Sequence, residues 1–135
     1  MYPTILVTLD GTPTDRAIIE HIKRLAKLLG SRVVLLHVAT SVPAQFHGAE
    51  AAGEEVEESQ SYLNAVRAEF EALAIPCEPV LVYGSEPVKE IVKWIEAHGC
   101  DLVAMSTHGH KFVADLVLGT TASRVQHSIS VPVLL

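Results

Sequence analysis

Ser106-Thr107-His108-Gly109, nine intervening residues and then Gly119-Thr120 make up the stretch whose residue types and spacing could do chemistry. An apolar run, Leu102-Val103-Ala104-Met105, leads into its first half, and the pattern predicts a helix over 120–127 opening from its second. Glycines at such points let backbone N–H groups approach a ligand with no Cβ in the way. A helix N-terminus beside them offers unpaired donors and the positive end of the helix dipole, which together suit an anion. Phosphate is the ligand this arrangement fits. The plainer reading is a strand-exit turn at Gly109 and a helix start at Gly119-Thr120. Thr120 and Ser123 could donate hydroxyls to phosphate oxygens, and Thr120 is also a competent N-cap. Both roles can hold at once.

Asp10 follows the aliphatic run Ile5-Leu6-Val7-Thr8-Leu9. A carboxylate there can bind a ribose hydroxyl or a metal ion, or it can cap a helix. Thr12 stands two residues later as a good cap in its own right, which favours the functional role. His108 and His110 form an H-x-H pair, but two imidazoles without a third ligand are a weak zinc signal. Local hydrogen bonding in a loop is the simpler role for them. Lys111 and Arg124 could balance phosphate charge, with solvated surface the plainer place for Lys111. His37 lies inside a strand and reads as a hydrogen-bonded core histidine, and Trp94 as packing. The chain has no G-x-x-x-x-G-K-[ST] loop, no G-x-G-x-x-G and no G-x-S-x-G elbow, and neither cysteine sits in a nucleophilic setting.

Short β-branched runs alternate with helical periodicity and must position these residues. Residues 5–9 read as a first strand. Thr12 as N-cap, Pro13 at the first helical position and Asp15 reaching back as a capping box predict a helix start. Ile18, Ile22, Leu25 and Leu29 follow at helical spacing, and Gly30 ends the helix. A buried strand is expected over 32–38, a loop over 39–49, and a helix over 50–73 with Tyr62, Leu63, Val66 and Phe70 inward. A strand over 77–82 is placed at or near an edge by Pro79. A helix over 87–98 turns Val88, Ile91, Val92 and Ile95 inward, and strands over 101–106 and 131–135 complete the chain. That order, βαβαβαβαβ, means an α/β fold with a parallel sheet and helices on both faces. Ligands of such open sheets sit outside the carboxyl ends of the strands, where the winding reverses. If the first and fourth strands are neighbours, Asp10 and the Ser106–Gly109 stretch converge on one crevice.

The 135 residues form one domain, large enough to bury a core without disulfide or metal staples. Hydrophobic residues reach 49% with only 5% aromatics, an aliphatic bias that suits a buried parallel sheet. A net charge of −6 argues against a nucleic-acid or anionic-membrane surface. Glu50, Glu54, Glu55, Glu57 and Glu58 concentrate that charge at a solvated helix start. No apolar run approaches the ~18–20 residues that span a bilayer. The start Met1-Tyr2-Pro3-Thr4 lacks the basic and apolar regions of a signal peptide. Cys77 and Cys100 make neither a zinc pattern nor a disulfide framework, so the expectation is a cytoplasmic protein with reduced thiols.

Along its full length the chain resembles the universal stress protein family of small UspA-like domains. The resemblance lies in Ile5 to Thr12, Leu36-His37-Val38, Gly84-Ser85-Glu86-Pro87 with Ile91, Asp101-Leu102-Val103, and Gly109 through Thr120 leading to Val131-Pro132-Val133-Leu134. The ATP-binding branch of that family carries G-x2-G-x9-G-[ST]. Gly109, Gly119 and Thr120 match its second and third glycines and its hydroxyl, and Ser106 departs from the first glycine. The resemblance implies a Rossmann-like open five-stranded parallel sheet of order 3-2-1-4-5, the adenine nucleotide alpha hydrolase-like arrangement. It implies that Asp10 holds the ribose or a bound Mg²⁺ and that Val38 meets adenine through its backbone. Gly109, Gly119, Thr120 and Thr121 would hold the phosphates, with Ser106 and His108 beside them. It further implies a homodimer through the last strand, an unidentified protein partner, and a regulatory ATP-binding role with slow or no hydrolysis. The alternative is a nucleotide-free dimeric interaction module of the same fold.

Overall fold

Strict two-residue alternation in the apolar strands decides the layering. The computed structural model describes residues 2–39, 48–106 (side chains from 57 onward) and 131–135. Strand β1 (Thr4–Leu9) lies between β2 (Arg32–Ala39) and β4 (Leu102–Met105). Strands β3 (Cys77–Tyr83) and β5 (Val133–Leu134) form the two edges, giving a parallel sheet of order β3-β2-β1-β4-β5. Ile5, Val7, Leu9, Val33, Leu35, Leu102 and Ala104 project to one face. There they meet Ile18, Ile19 and Ile22 of helix α1 (Asp15–Leu29) and Leu63, Val66 and Phe70 of helix α2 (Gly48–Glu71). Leu6, Val34, Leu36, Val103 and Met105 project to the other face, against Val88, Ile91 and Ile95 of helix α3 (Pro87–His98). Covering on both faces is what lets these strands be apolar throughout.

Helix ends and edges follow local chemistry. Gly30 closes α1 in the left-handed region at φ 69°, its N–H on the Ala26 carbonyl. The edge position of β3, with Pro79 opposite Leu35, and the inward faces of α2 and α3 agree with the sequence reading. Several boundaries differ. Helix α2 begins at Gly48, which had been expected in the loop, and β4 is shorter than 101–106. Strand β5 has two residues instead of five, because Pro132 has no N–H for the ladder and contributes only its carbonyl, which accepts from Val103 N at 3.0 Å.

A charged clamp joins α1 to α2. Arg16 reaches both Glu69 carboxylate oxygens at 2.9 Å, and Lys23 Nζ bridges Glu69 at 2.6 Å and Glu20 at 2.7 Å. The Arg16 guanidinium holds the Glu69 carboxyl down at about 2, aided by Lys23 and opposed by partial burial. A depressed carboxyl stabilises the fold above its ordinary value near 4.5 and loses that contribution as pH falls towards 2. Glu69→Gln should therefore flatten the acid limb of a stability-versus-pH curve between those two values. Parallel curves for the two proteins in urea titrations would contradict the clamp.

Candidate functional site

The winding of the sheet reverses between β1 and β4, so the crevice of an open α/β sheet opens at their carboxyl ends. The register pairs Leu9 with His37 and Thr8 with Met105. Asp10, Val38 and Ser106 consequently stand at the same end of three adjacent strands, each half-buried. Of the other residues expected at the site, His108, Gly109, Gly119, Thr120 and Thr121 lie outside the described residues. So do His110, Lys111, Ser123 and Arg124.

The turn after β1 is built differently from the capping box expected of it. Helix α1 starts at Asp15 with Thr14 as N-cap, and no side chain caps it. Thr12 and Pro13 instead form the tight turn before it, with Asp15 N on the Thr12 carbonyl at 3.0 Å and Arg16 N on the Pro13 carbonyl at 3.1 Å. The reason is Asp10. Its Oδ1 accepts from the Thr12 N–H at 2.9 Å and from the Thr12 hydroxyl at 2.5 Å, so Thr12 is taken up locally. Asp10 thus braces the turn that leads into α1 and does not cap the helix. Its Oδ2 accepts from no described residue, which leaves one carboxylate oxygen for a ligand in a side chain already fixed in direction.

Asp15 reaches past Thr12. Its carboxylate accepts from the Asp10 N–H at 3.1 Å, the Gly11 N–H at 3.0 Å and the Tyr62 hydroxyl at 2.5 Å. Burial pushes the Asp15 carboxyl up to about 6 and the negative charge of Asp10 adds to the rise, while the hydrogen bonds from Tyr62 and the two amides oppose it. Burial and the same carboxylate push the Tyr62 hydroxyl up, so it stays protonated and donates. Gly11 sits at φ +82°, where a side chain would be strained, and a Cβ there would lie 3.6 Å from the His37 ring. His37 itself is buried, its Nδ1 donating to the Leu9 carbonyl at 2.8 Å, as expected of a core histidine. Asp15 and Tyr62 were not among the site residues read from sequence. The available signal was a tyrosine on an aliphatic helix face, whose hydroxyl needs a partner once buried.

Two other features bear on the chemistry. An open concavity of about 580 Å³ is lined by Glu57, Glu58, Ser61 and Tyr62. Its described lining carries two carboxylates and no cation, the wrong charge for phosphate. Burial pushes the Cys77 thiol up to about 12 and the Cys100 thiol to about 11, so neither is a thiolate nucleophile at neutral pH.

The universal stress protein family model matches residues 1–135. The chain belongs to the universal stress protein family. Universal stress protein MJ0577 of Methanocaldococcus jannaschii is 27% identical over 153 residues, taking in 99% of this chain and 94% of that protein. A solved structure of MJ0577 aligns with a TM-score of 0.88 at 28% identity, over 99% of this chain and 94% of that one. The "universal stress protein in QAH/OAS sulfhydrylase 3′ region" of Thermus aquaticus is 29% identical over 136 residues, all of this chain and 98% of that protein. A universal stress protein solved in complex with cAMP shares the fold, with a TM-score of 0.72 at 18% identity over 99% of this chain and 95% of that one. The five-stranded 3-2-1-4-5 sheet is thus the fold of these universal stress proteins.

Proposed function

We propose that this universal stress protein is a cytoplasmic regulatory domain of the stress response that binds ATP with Mg²⁺ at the carboxyl ends of β1 and β4. The observation that carries the reading is Asp10, oriented by Thr12 and left with an open carboxylate oxygen where the sheet reverses. The match of Gly109, Gly119 and Thr120 to the nucleotide motif supports it, as does a relative solved with an adenine nucleotide, cAMP. Val38 would meet adenine through its backbone. Gly109, Gly119, Thr120 and Thr121 would bind phosphates, with Ser106 and His108 alongside.

The residues present suit Mg²⁺ in one particular way. Among the described residues no three His, Cys, Asp or Glu side chains cluster as a metal cage. Mg²⁺ is commonly held by one or two carboxylates together with substrate phosphates, and the open oxygen of Asp10 fits that role. The ion would neutralise phosphate charge beside the carboxylate.

Hydrolysis should be slow. Rapid phosphoryl transfer needs a positioned base or water-orienting group and cations on the developing charge. Asp10 is committed to the turn and the metal, and His108, His110, Lys111 and Arg124 stand in no recognised catalytic spacing. A thermal-shift assay tests binding: Mg-ATP at ~100 times its Kd should stabilise the protein by about 2.7 kcal/mol. No shift at millimolar Mg-ATP would reject the reading. Turnover of ~1 s⁻¹ or faster, the range of ordinary kinases, would make the protein an enzyme instead.

We also propose a homodimer paired through β5. The strand is a sheet edge followed by an exposed Leu135, and an unprotected apolar edge invites pairing. Light scattering at tens of micromolar, the range of weak interfaces, should give twice the chain mass. A monomer there would contradict it.

A further inference from the structure

Asp15 is a carboxylate only 1% exposed, with no cation paired to it among the described residues. Burying such a group is costly unless hydrogen bonds compensate, and replacing it with an apolar residue is often neutral or stabilising. Packing therefore does not explain it. Its three hydrogen bonds tie three parts of the fold together: the Asp10 and Gly11 amides beyond β1 and the Tyr62 hydroxyl of α2 donate to a side chain of α1. The amides it holds belong to Asp10, whose carboxylate faces the proposed ligand, and to the adjoining positive-φ glycine. A line of contacts thus runs from α2 through Asp15 to the backbone that aims Asp10.

We infer that Asp15 and Tyr62 are positioning residues for the nucleotide: Tyr62 fixes the Asp15 carboxylate, which holds the Asp10 and Gly11 amides and so aims the Asp10 side chain at the ligand. The inference rests on the nucleotide reading above and adds two residues to it, neither of which touches the ligand. The charged groups around this contact are Asp10 beyond β1 and Arg16 of α1, which faces Tyr62. Asp15 needs both carboxylate oxygens as acceptors. Asparagine would keep one acceptor and turn its NH₂ against a backbone N–H. Phenylalanine at position 62 would keep the ring and remove the single hydroxyl that steadies the carboxylate.

The test is a binding cycle measured by calorimetric titration with Mg-ATP. Tyr62→Phe should raise Kd about tenfold, the loss expected for one hydrogen bond to a charged group, and Asp15→Asn should raise it further. In an Asp10→Ala background neither change should weaken binding again, because both act through the Asp10 carboxylate. A purely structural role would give losses that add across the two backgrounds. Amide hydrogen exchange at Asp10 and Gly11 should quicken in Tyr62→Phe, whether or not nucleotide is present. Should Asp15→Asn fail to fold, Tyr62→Phe decides alone, since its ring packing is intact. An unchanged Kd in Tyr62→Phe, or fully additive losses, would overturn this inference and leave nucleotide binding standing. Wild-type protein that binds no Mg-ATP would overturn the nucleotide reading and this inference with it.

Discussion

Gly109→Val should abolish ATP binding while the protein stays folded. Three residues beyond Ser106, Gly109 follows β4 in sequence, and in the proposed site phosphate would approach its backbone closely. A valine side chain there would occupy the space of a phosphate oxygen and push the donors away. Charge-assisted hydrogen bonds contribute about 1.5–3 kcal/mol each, so losing two should weaken binding by ~100-fold or more. Circular dichroism would establish that the variant folds, and equilibrium titration with Mg-ATP would give the affinity. An unaltered Kd in a folded variant would remove Gly109 from the site.

Among alanine truncations of the described core, Phe70→Ala should carry the largest loss of stability. Phe70 is fully buried and is the largest such side chain among the described residues, closing the α2 side of the core against the sheet. Its carbonyl also accepts the Leu73 and Ile75 amides, at 3.0 and 3.1 Å, where the chain leaves α2 for β3. Truncating a buried phenylalanine costs about 3–5 kcal/mol through lost transfer energy and the cavity left behind. A domain of this size should then melt roughly 10–20 °C lower. A midpoint within a degree or two of wild type would mean that the α2 side of the core is not packed as described.

The layers were legible because their signal is repetitive. Ile5, Val7 and Leu9 alternate with Leu6, and Leu63, Val66 and Phe70 recur at helical spacing. Each pattern repeats one geometric fact several times, so a single exception cannot hide it. The neighbouring of β1 and β4 followed from the family resemblance, since pairing between distant strands leaves no local trace. The turn after β1 was misread for the opposite reason. Thr12, Pro13 and Asp15 have the spacing of a capping box, but spacing does not say which amide a carboxylate will reach. Asp10 engages Thr12, and Asp15 is left to the amides of Asp10 and Gly11. Tyr62 showed its hydrophobic spacing in the sequence, whereas the partner of its hydroxyl lies 47 positions away. Of the proposed binding residues, Asp10, Val38 and Ser106 are placed by the fold, while the glycine and threonine half of the motif stands on its sequence match.

Titration of Mg-ATP into the wild-type protein and Asp10→Ala, side by side in a calorimeter, tests the central claim most directly. The predicted result is saturable binding of one nucleotide per wild-type chain, weakened at least tenfold in Asp10→Ala, since the lost carboxylate contributes about 1.5–3 kcal/mol. Wild-type protein that takes up no nucleotide, or an Asp10→Ala isotherm that overlays the wild type, would contradict it.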